Sequence, residues 1–176
     1  VRKEIKDIVS FLRLKINPKS VIDFDRVFML QEGFGKTTAE KFEEISNQKK
    51  CSIMESLNFA SELKLNSERM SEIRRLKSVL NNFEKNPISL FLDDFGYRKI
   101  ISDEYGDDQE RTQDKFENIQ VLIDLYKEYG NTKEDINKFL DELIELGKKD
   151  KTKDKVILST IHSAKGLEWE HVFILS

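Results

Sequence analysis

Two stretches of the 176-residue chain hold residue types that could do chemistry together. The first is Gly33-Phe34-Gly35-Lys36-Thr37-Thr38. Two glycines one residue apart permit a tight turn. A helix starting just after them presents free backbone N–H groups and the positive end of its dipole, which together can hold a DNA phosphate without reading sequence. An ordinary turn between helices, with Phe34 packed inward, accounts for the same residues. A P-loop does not, because that motif needs another glycine five residues before Gly35, after a strand, and position 30 is Leu30. The second stretch is Thr160-Ile161-His162-Ser163-Ala164-Lys165-Gly166-Leu167-Glu168-Trp169. It begins at the end of one apolar run, Val156 to Ile161, and precedes another, Val172 to Leu175. In an α/β domain that is where ligand contacts collect, at the carboxyl ends of strands. A hydroxyl, an imidazole, an ammonium, a glycine and a carboxylate within so short a string suffice for a phosphate and a ribose together. Taken singly, His162 reads equally as a satisfied core histidine, Lys165 as a solvated charge and Trp169 as a core anchor. No residue is assigned a catalytic or metal-ligating role.

Both stretches need elements to position them. Ile5, Ile8, Val9, Leu12 and Ile16 recur at helical spacing and predict an amphipathic helix that Asn17-Pro18 ends. The apolar stretch Val21 to Leu30 predicts a second helix before the Gly33-Phe34-Gly35 turn. Thr37 with Glu40 reads as a capping box restarting a helix to about Gln48, and Ser52 with Glu55 as another for a short helix through Leu63. Ile73, Leu76, Leu80 and Phe83 stripe a helix from about Ser67 to Lys85, stopped by Asn86-Pro87. Phe116, Ile119, Leu122, Ile123 and Tyr126 mark the next, with Gly130 after its end. Ile136, Phe139, Leu140, Leu143 and Ile144 mark the last, capped by Thr132 and closed by Gly147. Residues 1–147 therefore read as all helical. The charged run Gly147 to Asp154 reads as a linker, and the two apolar runs beyond it as short strands. The expected fold is mostly α: a multi-helix domain with a short α/β remnant of two strands at the C-terminus. Two strands are too few for a stable sheet. They are expected to pack on the first helix and to pair their free edge with another copy, giving self-association.

Composition bounds the function classes. The chain is 38% hydrophobic and 36% charged, with 12 Phe, too apolar for disorder and too charged for a membrane protein. Its opening, Val1-Arg2-Lys3-Glu4, has neither a starting Met nor the apolar core of a signal peptide, as expected of a cut piece. The single cysteine, Cys51, can form no internal disulfide, which fits a reducing compartment and makes the cytoplasm the expected location. The net charge of −3 conceals a gradient. Residues 1–50 carry 11 basic and 8 acidic side chains, a net +3, whereas residues 101–150 carry 7 and 15, a net −8. Phosphate affinity follows local Lys and Arg, so a nucleic-acid surface is expected in the first hundred residues, with the acidic block facing away.

The string Val156 to Leu175, VILSTIHSAKGLEWEHVFIL, resembles motif V of the UvrD/Rep/PcrA group of superfamily 1 DNA helicases. Arg2 to Pro18, RKEIKDIVSFLRLKINP, is similar to the segment just after motif IV of those helicases. FDRVFMLQEGFGKTTAEKF is similar to the stretch leading into their Gly-x-Gly turn, and Gln113 to Leu122 to a further short motif. The resemblance implies that residues 1–16 and 151–176 are remnants of the RecA-like domain 2A, with motif V in the second, and that 17–150 are the helical insertion called domain 2B. It implies an ATP-dependent parent using ATP and Mg²⁺, in which Lys165, Gly166 and Glu168 contact ATP and Thr160 and His162 couple that corner to single-stranded DNA. Gly33, Gly35, Lys36 and Thr37 would contact the duplex. The Walker motifs and the arginine-bearing motif VI are absent from the string, so this piece is expected to be inactive alone, with no cofactor of its own. Two departures stand at the turn: Glu32 where the family often has a basic residue, and Phe34 in place of Ile. A helical protein-interaction module, and a part of a helicase-nuclease, are the alternative readings.

Overall fold

Helix-forming periodicity sets the architecture, and one helix organises the rest. The computed structural model of the chain describes residues 2–148, 159, 165, 168, 169 and 171–174. In chain order the helices are α1 (Lys3–Ile16), α2 (Val21–Phe28), α3 (Lys36–Lys49), α4 (Ile53–Ser56) running into a 3₁₀ segment (Leu57–Leu63), and α5 (Ser67–Asn81). Then come α6 (Pro87–Ser89), a π-type turn (Leu90–Asp94), α7 (Tyr97–Tyr105), α8 (Gln109–Tyr126) and α9 (Lys133–Lys148). No strand occurs among the described residues. Of the two expected strands, 156–161 lies outside them except for Ser159. Val172, Phe173 and Ile174 take no regular structure and are 66%, 90% and 80% exposed, so they do not cover α1 as expected.

The covering of α1 comes from elsewhere. It packs against α2, α5, α6, α8 and α9. Ile8, Phe11, Leu12 and Leu14 are fully or almost fully buried, a wider apolar surface than the single stripe its spacing suggests. Three aromatic groups fill the core. Phe28 meets Phe34 and Phe42 at centroid distances of 4.6 and 5.4 Å. Phe91 meets Phe11, Phe95 and Tyr97 at 4.7, 5.0 and 4.6 Å. Phe139 packs edge-on against Tyr126 at 4.8 Å.

Several helix ends differ from the sequence-based expectation, each for a physical reason. The Ser52–Glu55 capping box forms, but the Thr37–Glu40 one does not: α3 starts two residues earlier, with Gly35 as its N-cap. Thr37 is thereby inside the first turn. The fifth helix stops at Asn81 and not near Lys85, because the Lys15 ammonium reaches from α1 and donates to the carbonyls of Val79, Leu80 and Asn82 at 3.1, 3.1 and 2.5 Å. Those are the groups a helix C-terminus leaves unpaired. Asn86-Pro87 begins a helical turn instead of ending one, since the Asn86 side chain accepts from the amides of Ile88 and Ser89 and Pro87 takes the first helical position. Thr132 does cap α9, accepting from the Asp135 amide at 3.2 Å, but the helix continues through Gly147 to Lys148.

Candidate nucleic-acid interface

The Gly33 turn is built from beneath by aromatics. Phe34 is 5% exposed and packs on Phe28, itself at the end of α2, so the turn is anchored inward by its middle residue while Gly33 and Gly35 face outward. The inward Phe34 of the ordinary-turn reading and the outward backbone of the phosphate-binding reading are thus present at once. Gly33 has φ +78°, a left-handed conformation that side-chain-bearing residues adopt at a cost, whereas Gly35 is extended at φ −118°, ψ −178°. A β-carbon at Gly35 would meet nothing within 4 Å. The 14-residue α3 starts immediately afterwards, and no side chain caps its first turn. An exposed helix N-terminus with an open backbone approach can receive an anionic oxygen.

The charges nearby are mixed. Lys36 is 80% exposed at the side chain and pairs only loosely with Glu40, at 3.9 Å. Beneath it lies Asp25, whose Oδ1 is buried without a hydrogen-bond partner. Burial pushes its carboxyl upward; Lys36 opposes that and Glu40 adds to it. The Glu43 carboxyl is also raised, by burial and by the charges of Asp25 and Glu40. Thr37 is exposed.

A residue that sequence reasoning missed completes the turn. The guanidinium of Arg69, on α5, lies over Gly33, with Nε 3.2 Å from the point a β-carbon there would occupy. Gln31 pins the same turn to α5, its Nε2 donating to the Glu72 carbonyl at 3.3 Å and to Oε2 of that residue at 3.2 Å. Arg69 is 36 positions from Gly33, and no local spacing announces the contact. Away from this side, α3 packs on α2, α4 and the 3₁₀ segment, whereas the acidic α8 and α9 pack on α1, with α8 also against α7.

At the C-terminal site, Lys165 lies in a turn and Lys165 and Glu168 are exposed, with Trp169 half-buried. Thr160, His162 and Gly166 lie outside the described residues. An accessible ammonium and an accessible carboxylate three positions apart suit a phosphate and a ribose hydroxyl. Among the described residues no group of three or more His, Cys, Asp or Glu could hold a metal ion, and no helix is long and apolar enough to cross a membrane.

Comparison with known proteins adds to this geometry. The family model described as the UvrD-like helicase C-terminal domain matches residues 1–176. The ATP-dependent DNA helicase Rep of Buchnera aphidicola is 29% identical over 99% of this chain and 30% of its own length. The ATP-dependent DNA helicases PcrA of Staphylococcus aureus and Staphylococcus epidermidis are each 29% identical over 99% of this chain and 26% of their own. The chain therefore spans between a quarter and a third of the length of these curated relatives.

Proposed function

Because the chain belongs to the UvrD-like helicase C-terminal domain family, we propose that it is the duplex-holding and regulatory part of an ATP-dependent DNA helicase. In this reading residues 17–150 form the helical domain 2B, and 1–16 and 151–176 belong to the RecA-like domain 2A. The observation that carries it is the Gly33 turn: outward backbone, a helix N-terminus without a side-chain cap and a nearby arginine that forms no salt bridge among the described residues make a phosphate seat that reads no sequence. The names of the relatives, which are ATP-dependent DNA helicases, support the same assignment. The cytoplasm is the location proposed for the parent.

The chain's own residues would act by binding and positioning. Gly33, Gly35, Lys36 and Thr37 would hold a phosphate of the duplex ahead of the unwinding point. In the parent, Lys165 and Gly166 would lie against the phosphates of ATP, Glu168 against its ribose, and Thr160 and His162 would link that corner to single-stranded DNA. ATP hydrolysis supplies the driving force when ATP and Mg²⁺ are bound. The phosphate cradle, the Mg²⁺ carboxylate and the charge-stabilising arginines that hydrolysis needs are expected in other parts of the parent.

Fluorescence anisotropy of a labelled duplex carrying a single-stranded tail, titrated with the chain at increasing salt, tests the proposal. Binding that weakens log-linearly with salt is the expected result. Indifference to DNA at low salt would favour the protein-interaction module instead. The purified chain should show no ATP turnover, and measurable turnover would overturn the assignment of its parts.

A further inference from the structure

Of the residues at this turn only Lys36, on its α3 side, is a cation; the residue before Gly33 is Glu32, so that side lacks one. The fold brings one from elsewhere. Arg69 sits half-buried over Gly33 and forms no salt bridge among the described residues. On the same helix Arg75, which lies near the other left-handed glycine, Gly96, is by contrast paired to Glu72. The face of α5 carrying Arg69, Glu72 and Arg75 thus runs between two glycine turns, and the cleft it floors, of about 640 Å³, opens beside Gly33 and is walled on the far side by α7. Lys99 on that wall is exposed and also forms no salt bridge among the described residues. Five carboxylates, of Glu32, Glu68, Glu72, Asp103 and Glu104, line the same cleft against three cations, Arg69, Arg75 and Lys99. Its field is therefore not positive, and binding must come from geometry. A half-buried guanidinium offers paired N–H donors to a phosphate.

We infer that Arg69, supplied by α5 on the side where Glu32 stands, joins Lys36 as a phosphate-contacting cation of the Gly33 turn, and that the DNA backbone is seated between this guanidinium and the first turn of α3. This rests on the duplex-holding role proposed above and assigns its positioning residue. Lys36 and the helix dipole alone would give a shallow salt dependence. A full charge adds a counterion-release term of about 0.9 to the slope of log affinity against log salt.

The test compares the chain with Arg69→Gln, Arg69→Lys and Glu32→Gln variants, using a labelled blunt duplex between 50 and 200 mM salt, with circular dichroism as a check on folding. Arg69→Gln should weaken binding for every duplex sequence and lower the slope by about one. Its deficit against the parent chain should accordingly shrink by about 3.5-fold across that salt range. Arg69→Lys should keep the slope but bind less tightly, and Glu32→Gln should bind more tightly than the parent chain. If the parent chain binds and the Arg69→Gln slope is unchanged, or if Arg69→Lys shows the lowered slope expected of Gln, Arg69 is a packing residue and the inference is wrong while the duplex-holding role stands. No binding by the parent chain at 50 mM salt would overturn that role itself. If Arg69→Gln fails to fold, the Lys and Glu32 variants decide the matter.

Discussion

Gly33 and Gly35 look equivalent in the sequence, and the backbone separates them. Replacing Gly33 with Ala forces a left-handed residue, at a cost of about 1 kcal/mol, and crowds Arg69. Replacing Gly35 with Ala strains nothing, since its backbone is extended and the space around it open. Gly35→Asp should go further and stabilise α3 by a few tenths of a kcal/mol as an N-cap, yet weaken duplex binding, because its carboxylate would occupy the amides a phosphate would use. Thermal unfolding and anisotropy on the same samples check both halves, and a Gly35→Asp variant that binds duplex normally would remove the α3 amides from the interface. Lys15 gives a second prediction at this scale. Burial pulls its ammonium down to about 8 from 10.5, so between those pH values the unfolded chain keeps a proton that the folded chain releases. Stability from this group therefore rises with pH across that window, by at most about 1.4 kcal/mol per pH unit. The difference in unfolding free energy between the parent chain and Lys15→Met, measured by urea titration at pH 7, 8, 9 and 10, should widen as pH rises, and a constant difference would show that Lys15 titrates as it does in the unfolded chain.

Among elements, the polar seam on α1 matters as much as the apolar packing. Asp7 is 1% exposed and accepts from the Tyr97 hydroxyl at 2.6 Å and from Arg26 at 2.7 Å, tying α1 to α7 and α2. Burial and the Asp7 carboxylate both raise the Tyr97 hydroxyl far above its ordinary value. Glu4, also 1% exposed, accepts from Lys115 at 3.1 Å and from Asn118 at 2.6 Å on α8. Burial alone would raise its carboxyl, but a hydrogen bond with its own backbone, together with these side-chain bonds, holds it below the ordinary value. Asp7→Ala should cost about 3 kcal/mol, since it strands a buried hydroxyl and breaks the pair with Arg26. Tyr97→Phe should cost about 1 kcal/mol, and the double variant clearly less than the sum, which chemical denaturation can measure as a coupling energy. Periodicity revealed where helices lie because an apolar stripe is a local property of the string. It could not reveal Glu4 or Asp7 as interior residues, the end of α5 or the Arg69 contact, because each is decided by a partner tens of residues away. The missed α7 had a similar cause: its nine residues bury only Tyr97 and Ile101 fully, too few to make a recurring stripe.

For the molecule as a whole, the acidic α8 and α9 lie against α1, and α3 lies among α2, α4 and the 3₁₀ segment. The C-terminal apolar residues lead to a prediction at this scale. Phe173 and Ile174 are almost entirely exposed, and a bare apolar segment favours contact with another surface. The chain should therefore self-associate at high concentration in sedimentation velocity. Ile174→Lys should shift it toward monomer while leaving the helical signal unchanged, and a parent chain that sediments as a monomer throughout would dismiss the idea.

The position of α1 also governs the order in which the molecule can be completed. It is the first helix in the chain, yet α8 and α9, which begin at Gln109 and Lys133, form part of its walls. During synthesis from the N-terminus, at roughly 5–20 residues per second, α1 must wait several seconds for those walls, with Phe11 and Leu12 only partly covered and Glu4 still without Lys115 and Asn118. The buried carboxylate then has a use that a wholly apolar helix would lack. A charged α1 stays hydrated while it waits, and becomes an interior element only when the last helices arrive to receive it.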